Sequence, residues 1–453
     1  MDIKSMVEGY REDLLNKLGE LIAVNSEEGE STSEAPFGEG PKKALETALS
    51  LLDKDGFKTV NVDNYAGYAE MGEGDELIGV IGHLDVVPAK KEDGWDTDPY
   101  EMVEKDGVLY GRGVADDKGA VVASMIAMKV LRDLNVPIKK RIRLIMGTNE
   151  ESGSKCLEYY VKKEGHVDYG FTPDGEFPGV FGEKGMVAMT YYSKDTNIID
   201  IKGGTAKNVV CPSCTVTVEK ANFSRKTLED EFKNNDFDYE IVEDGDNVSI
   251  TLNGVAAHAS TPELGTNAIS YLLEGLRKAG FQDKFVEFYH DHFALNYDGS
   301  CIGAKCEDDY GALTLNNGVI ELKDGVISGS VDIRFPVSLT SKKVLKMMEG
   351  KLEDDNGYIE VNGVVEPLFF PPDSPLVTSL LSAYQEVTGD NETEPMTMGG
   401  GTYAKGINNT IAFGCAFLGT DYRIHNTNEF VPVDELLKQA EIYVVALLKL
   451  LEL

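Results

Sequence analysis

The chain has 453 residues, with 78 Asp and Glu against 43 Lys and Arg, for a formal net charge of −35 at pH 7. A surface of that sign repels phosphate backbones and anionic lipid, which argues against nucleic-acid and membrane partners. The length allows two or three domains with ample cores.

The first predicted element is an amphipathic helix over 3–23, carrying Asp2, Lys4, Glu8, Arg11, Glu12, Asp13, Lys17 and Glu20. It lacks the apolar stretch of a secretory signal, so a cytoplasmic protein is expected. A second helix is predicted near 41–55. The run Glu76-Leu-Ile-Gly-Val-Ile81 then has the apolar continuity of a buried strand, and it delivers Gly82-His83-Leu84-Asp85. In Gly111-Arg-Gly-Val-Ala-Asp116-Asp117-Lys-Gly119, two adjacent acids lie between glycines, and a buried helix is predicted over 119–131. Lys140–Met146 is predicted as a strand leading into Asn149-Glu150-Glu151, and Thr172-Pro-Asp174 follows a further apolar run. This alternation predicts an α/β domain with a mostly parallel sheet, its ligand-bearing loops at the C-terminal ends of the strands.

After Gly182-Glu-Lys-Gly185 the pattern changes. Met186–Tyr192, Asn247–Asn253 and Val326–Phe335 alternate like half-exposed antiparallel strands, with covering helices over 267–277 and 342–348. The α/β pattern resumes near Ser374 and carries His425-Asn-Thr-Asn-Glu429. The terminal run 444–453 is too short and too charged to span a bilayer and is predicted to pack as a closing helix. The expected organisation is therefore a discontinuous catalytic domain, 1–184 and 372–453, with an inserted α+β lid domain at 185–371. The six cysteines have irregular spacing, and reduced, partly buried thiols are expected rather than a zinc ribbon or disulfides.

Side chains two apart on a strand share a face, so His83 and Asp85 project together as an imidazole and a carboxylate. A single acid or histidine is most often a surface carboxylate or a satisfied core imidazole. Here the acids and His425 all follow strand-like runs, and together they form a carboxylate-rich set suited to two divalent metals.

The ordered set GHLDVVP, GRGVADDKG, NEESGS, FTPDGEFP, Ala257-His258-Ala259-Ser260 and HNTNE resembles the dinuclear zinc amidohydrolase superfamily. That group includes carboxypeptidase G, acetylornithine deacetylase and succinyl-diaminopimelate desuccinylase. The wording DDKG, TPDGEFP, GEKG and GGGTYA resembles its PepV-like dipeptidase branch most. The resemblance implies a metallohydrolase fold and two ions per chain, zinc with manganese or cobalt as substitutes. It implies Asp116 as the bridging carboxylate, with a cis peptide after it. His83 and Asp174 would complete one ion, His425 and Glu151 the other. Glu150 would be the general base that activates a metal-bridging water, Asp85 would hold the His83 imidazole, and His258 would donate to the oxyanion. Arg334 suits a bidentate grip on a substrate carboxylate. Asn208, Gly400 and Thr402 are weaker candidates for substrate contact.

In the resemblance, Asp rather than Glu at position 174 marks members that take a free amino terminus. Dipeptide hydrolysis is the expected activity, with a small peptide as partner; N-acyl-amino-acid or N-succinyl deacylation is the alternative. A catalytically dead peptide-binding protein would have lost a ligand or the base, and every such position is filled. The size of the lid resembles a doubled one that replaces a partner subunit, so an active monomer is expected. Hinges are expected near Gly185 and Pro371-Pro372.

Overall fold

A computed structural model describes residues 2–453. The chain divides into two compact units, one formed by residues 2–182, 370–396 and 401–453 and the other by residues 183–369 with 397–400. The short segment Thr397–Gly400, expected within 372–453 of the catalytic domain, packs with the second unit instead.

The centre of the first unit is a sheet whose inner strands are parallel. Leu77–His83 pairs in parallel with Arg141–Gly147 on one side and Tyr169–Thr172 on the other, and Thr410–Ala412 extends the parallel run beyond Tyr169–Thr172. Lys58–Val62 and Ala66–Met71 complete the Arg141–Gly147 side in antiparallel sense. Leu77–His83 is buried at every position, which is why it is a continuous apolar run rather than an alternation.

Helix Lys118–Asp133 is buried from Lys118 to Leu131 and packs against the C-terminal helix Val433–Glu452 and against Arg11–Ile22. Ile126, Leu131, Leu436 and Leu447 are fully buried in this core. Each such side chain contributes about 1.5–3 kcal/mol by leaving water. The helix expected over 3–23 is two helices, Ile3–Gly9 and Arg11–Ile22, broken at Tyr10. The tyrosine hydroxyl at the break donates to the Asp133 carboxylate.

The second unit is built on a ten-stranded sheet in which Gly185–Ser193 lies between Val326–Phe335 and Gly357–Val365, all antiparallel. Gly185–Ser193 alternates buried and half-buried positions along its length. Helices Ala268–Lys278, Lys284–His292 and Ser341–Met347 contribute Leu272, Phe285, Tyr289 and Val344 to a core separate from that of the first unit. All six cysteines are free thiols. Among the described residues, no helix is long and apolar enough to cross a membrane.

Candidate metal centre

The candidate ligands converge within the first unit. His83 is the last residue of Leu77–His83, and Asn149-Glu150-Glu151 follows Arg141–Gly147. Pro173-Asp174 follows Tyr169–Thr172. Because these three strands are parallel neighbours, their C-terminal ends lie side by side. Asp116 and Asp117, joined by a cis peptide, immediately precede helix Lys118–Asp133. His425 lies on a loop with φ 62°, a left-handed conformation that a non-glycine residue adopts only where its surroundings hold it.

Asp116 lies between two imidazoles: Oδ1 is 3.0 Å from His83 Nε2, and Oδ2 is 2.9 Å from His425 Nε2. His425 Nε2 is also 3.1 Å from Glu151 Oε2. Donor atoms of His83, Asp116 and Glu151 lie within 4.8 Å of one another, as do those of His83, Glu150 and Asp174. The expected ligands and Glu150 are thus brought together. Imidazole nitrogens among carboxylate oxygens at this spacing fit divalent metal ions.

The electrostatics follow from this crowding. Burial alone would lower the His83 pKa, but the neighbouring carboxylates of Asp116 and Asp85 outweigh it and hold the imidazole well above its usual range. Burial would raise Asp116, yet the two histidines pull it below the usual carboxylate range. Asp117 and Glu150 are pushed well up, by burial first; Asp174 adds to the push on both.

The surroundings hold the ligands in place. His83 Nδ1 faces the Asp85 carbonyl oxygen at 2.9 Å, whereas the Asp85 carboxylate is 3.6 Å away. The main chain of Asp85 therefore orients the ring and leaves Nε2 to coordinate. The Asp85 carboxylate accepts the Glu151 amide at 3.0 Å, fixing the glutamate loop. Asp117 Oδ2 accepts the His83 amide at 3.1 Å, an approach open because a Cβ at Gly82 would lie 2.7 Å from that oxygen. Lys118 is fully buried and donates to the carbonyls of Leu21 and Val24 at 3.0 and 2.9 Å. Burial brings its pKa down to about 7, against the opposing pull of Glu429 and Asp85.

Thr402, also in the first unit, is buried, and its hydroxyl accepts the Ala404 amide at 3.1 Å, so it caps the short helix Tyr403–Lys405. The other expected site residues belong to the second unit. His258 Nδ1 is 2.7 Å from Ser260 Oγ, and Val209, next to Asn208, pairs with His258 in a β-bridge. The Asn208 carbonyl accepts the Ala259 amide at 2.9 Å. Arg334 donates from Nε and Nη2 to the Asp332 carboxylate at 2.6 and 2.9 Å, and from Nη1 to the Gly399 carbonyl, beside Gly400, at 3.1 Å. These contacts fix the guanidinium plane and use one side of its fork, leaving a further N–H on each terminal nitrogen.

Arg112, Glu429 and Tyr403 stand inside the motifs GRGVADDKG, HNTNE and GGGTYA, where the sequence gives none of them a role. Arg112 and Glu429 form an ion pair at 2.7 Å. The Tyr403 hydroxyl meets Cys156 Sγ at 2.9 Å beneath the Arg141–Gly147 strand end.

Residues 79–449 match the family described as Peptidase family M20/M25/M40. The chain belongs to that family. The Bacillus subtilis (strain 168) protein named "Putative dipeptidase YtjP" is 33% identical over 457 residues, covering 97% of each chain. A Staphylococcus haemolyticus protein, "Putative dipeptidase SH1171", is 33% identical over 467 residues, covering 99% of each. Among solved structures, human carnosine dipeptidase 1 is similar in fold, with a TM-score of 0.60 at 18% identity over 100% of this chain and 98% of that one. The yeast dipeptidase Dug1p has a TM-score of 0.59 at 16% identity over 100% and 98%. This M20 peptidase therefore shares its whole length with those proteins.

Proposed function

We propose that this M20 peptidase hydrolyses dipeptides with a free amino terminus, with the help of divalent ions that Asp116, His83, Asp174, His425 and Glu151 would hold. The observation that carries the reading is the placement of Asp116, whose two oxygens face two different imidazoles at 3.0 and 2.9 Å. A carboxylate shared in that way is what a pair of hydrolytic metals about 3.5–4 Å apart requires. His83 and Asp174 would serve one ion, His425 and Glu151 the other. When bound, the ions polarise the scissile carbonyl and lower the pKa of water towards about 7.

The chain's own residues supply the rest. Glu150 takes a proton from the attacking water and returns it to the leaving amine. His258 donates to the developing oxyanion. Arg334, with its plane fixed by Asp332, receives the substrate carboxylate on its remaining N–H groups. Asp174 would help to hold a metal ion and would also offer its carboxylate to the substrate ammonium. The names carried by the relatives support this choice of substrate.

The test is a hydrolysis panel of free dipeptides, N-acetyl-amino acids and N-succinyl-amino acids, run on metal-free enzyme supplemented with zinc, manganese or cobalt. Free dipeptides are expected to be cleaved, and blocking their amino terminus to abolish cleavage. Faster turnover of the N-acyl compounds would make the protein a deacylase instead.

A further inference from the structure

Glu429 ends the segment that carries His425, and it is fully buried. Its Oε1 accepts the amides of Ala115 at 2.9 Å and Asp116 at 3.2 Å, and the Gly113 amide is 3.1 Å from both of its oxygens. Arg112 Nη1 donates to Oε2 at 2.7 Å. Main-chain amides from one short stretch that converge on a point form a concavity that binds anions. Here the chain fills it with its own carboxylate, delivered from 316 residues further on.

The same contacts tie two ligand-bearing segments together. Arg112 Nη2 donates to the Asn426 carbonyl, next to His425, at 3.3 Å. The Gly111 amide donates to the Glu429 carbonyl at 3.2 Å. Arg112 is itself buried, and its guanidinium lies 5.2 Å above the Trp95 ring. The Glu429 carboxylate addresses the backbone that presents those ligands and the arginine beside it.

We propose that Glu429 is a positioning residue of the metal centre. Its carboxylate gathers the 113–116 backbone and, through Arg112, docks it on the His425 loop, so that Asp116 is aimed before any metal arrives. The inference rests on the metal-centre reading above. Glutamine at this position has the same shape, but it offers a single acceptor oxygen and turns an NH2 group toward Arg112 or toward the amides. At least one donor then faces another donor.

The experiment compares wild type with Glu429→Gln in zinc binding to the metal-free protein, by competition with a chromogenic chelator. Loss of a group that orients ligands from behind typically weakens metal affinity 10- to 100-fold, and a loss of that size is expected. At saturating zinc the KM for a free dipeptide should stay within about twofold, because Glu429 has no role in gripping substrate in this proposal. Amide hydrogen exchange supplies a readout that needs no variant. In metal-free wild type, the amides of Gly113, Ala115 and Asp116 should already be protected and should slow little on adding zinc. In Glu429→Gln they should exchange faster, while those inside Lys118–Asp133 stay unchanged.

Wild-type zinc binding with an equally tight variant overturns this inference alone. So does free exchange of the three amides in wild type until zinc is added, which would make the metal the organiser. Wild type that binds no zinc overturns the metal reading and this one with it.

Discussion

Glu150 and Glu151 are adjacent in sequence, yet their carboxylates have different neighbours. Glu151 is 3.1 Å from His425 Nε2, with its amide held by Asp85, whereas Glu150 groups with His83 and Asp174. If Glu150 handles the proton and Glu151 the metal, Glu150→Ala should keep its full metal content and lose about 10²- to 10⁴-fold in kcat. Metal analysis beside steady-state kinetics checks this, and loss of metal in Glu150→Ala would mean the two roles are exchanged. His83, Asp116 and Glu150 were legible in the sequence because each ends an apolar run or sits in a glycine-bounded pair of acids. Glu429 had no legible role, because its partners precede it by more than three hundred residues and only the folded chain brings them together. Asp85 was half legible: its partnership with His83 followed from strand geometry, but the atom that orients the ring is the main-chain oxygen.

Among elements, the parallel strands were the most readable, since strands buried on both faces must be apolar throughout. Asn247–Asn253 and Val326–Phe335 have the expected bounds, but only the first alternates; the second is buried from Gly329 to Phe335. The break at Tyr10 was not expected, although Gly9, a weak helix former, ends the first helix there. The placement of Thr397–Gly400 was equally hidden, since it follows from pairings such as the Lys184 amide with the Met398 carbonyl. One strand end makes a sharp demand on its side chain. A Cβ on Gly147 would lie 2.0 Å from the Tyr403 hydroxyl, so that ring must move if the position is filled. Gly147→Ala should destabilise the first unit by about 1–3 kcal/mol, as overpacked core positions do. Thermal unfolding of the metal-free protein measures it, and an unchanged midpoint would show that the tyrosine relaxes without cost.

For the whole molecule, the claim is that one chain carries everything the reaction needs. We propose that the inserted unit, with its ten-stranded sheet, is a doubled lid, so that His258 acts with Glu150 of its own chain. Mixing His258→Ala with Glu150→Ala should then leave both dead, whereas recovered activity would mean that sites are shared between subunits. In the proposed centre, Asp116 would serve two metal ions in common. The direct measurement is a zinc titration of metal-free protein, counting ions per chain by elemental analysis at the point where cleavage of a free dipeptide reaches its plateau. Two ions per chain are predicted, with activity abolished again by chelation; a plateau at one ion, or activity that survives complete removal of metal, would contradict the account.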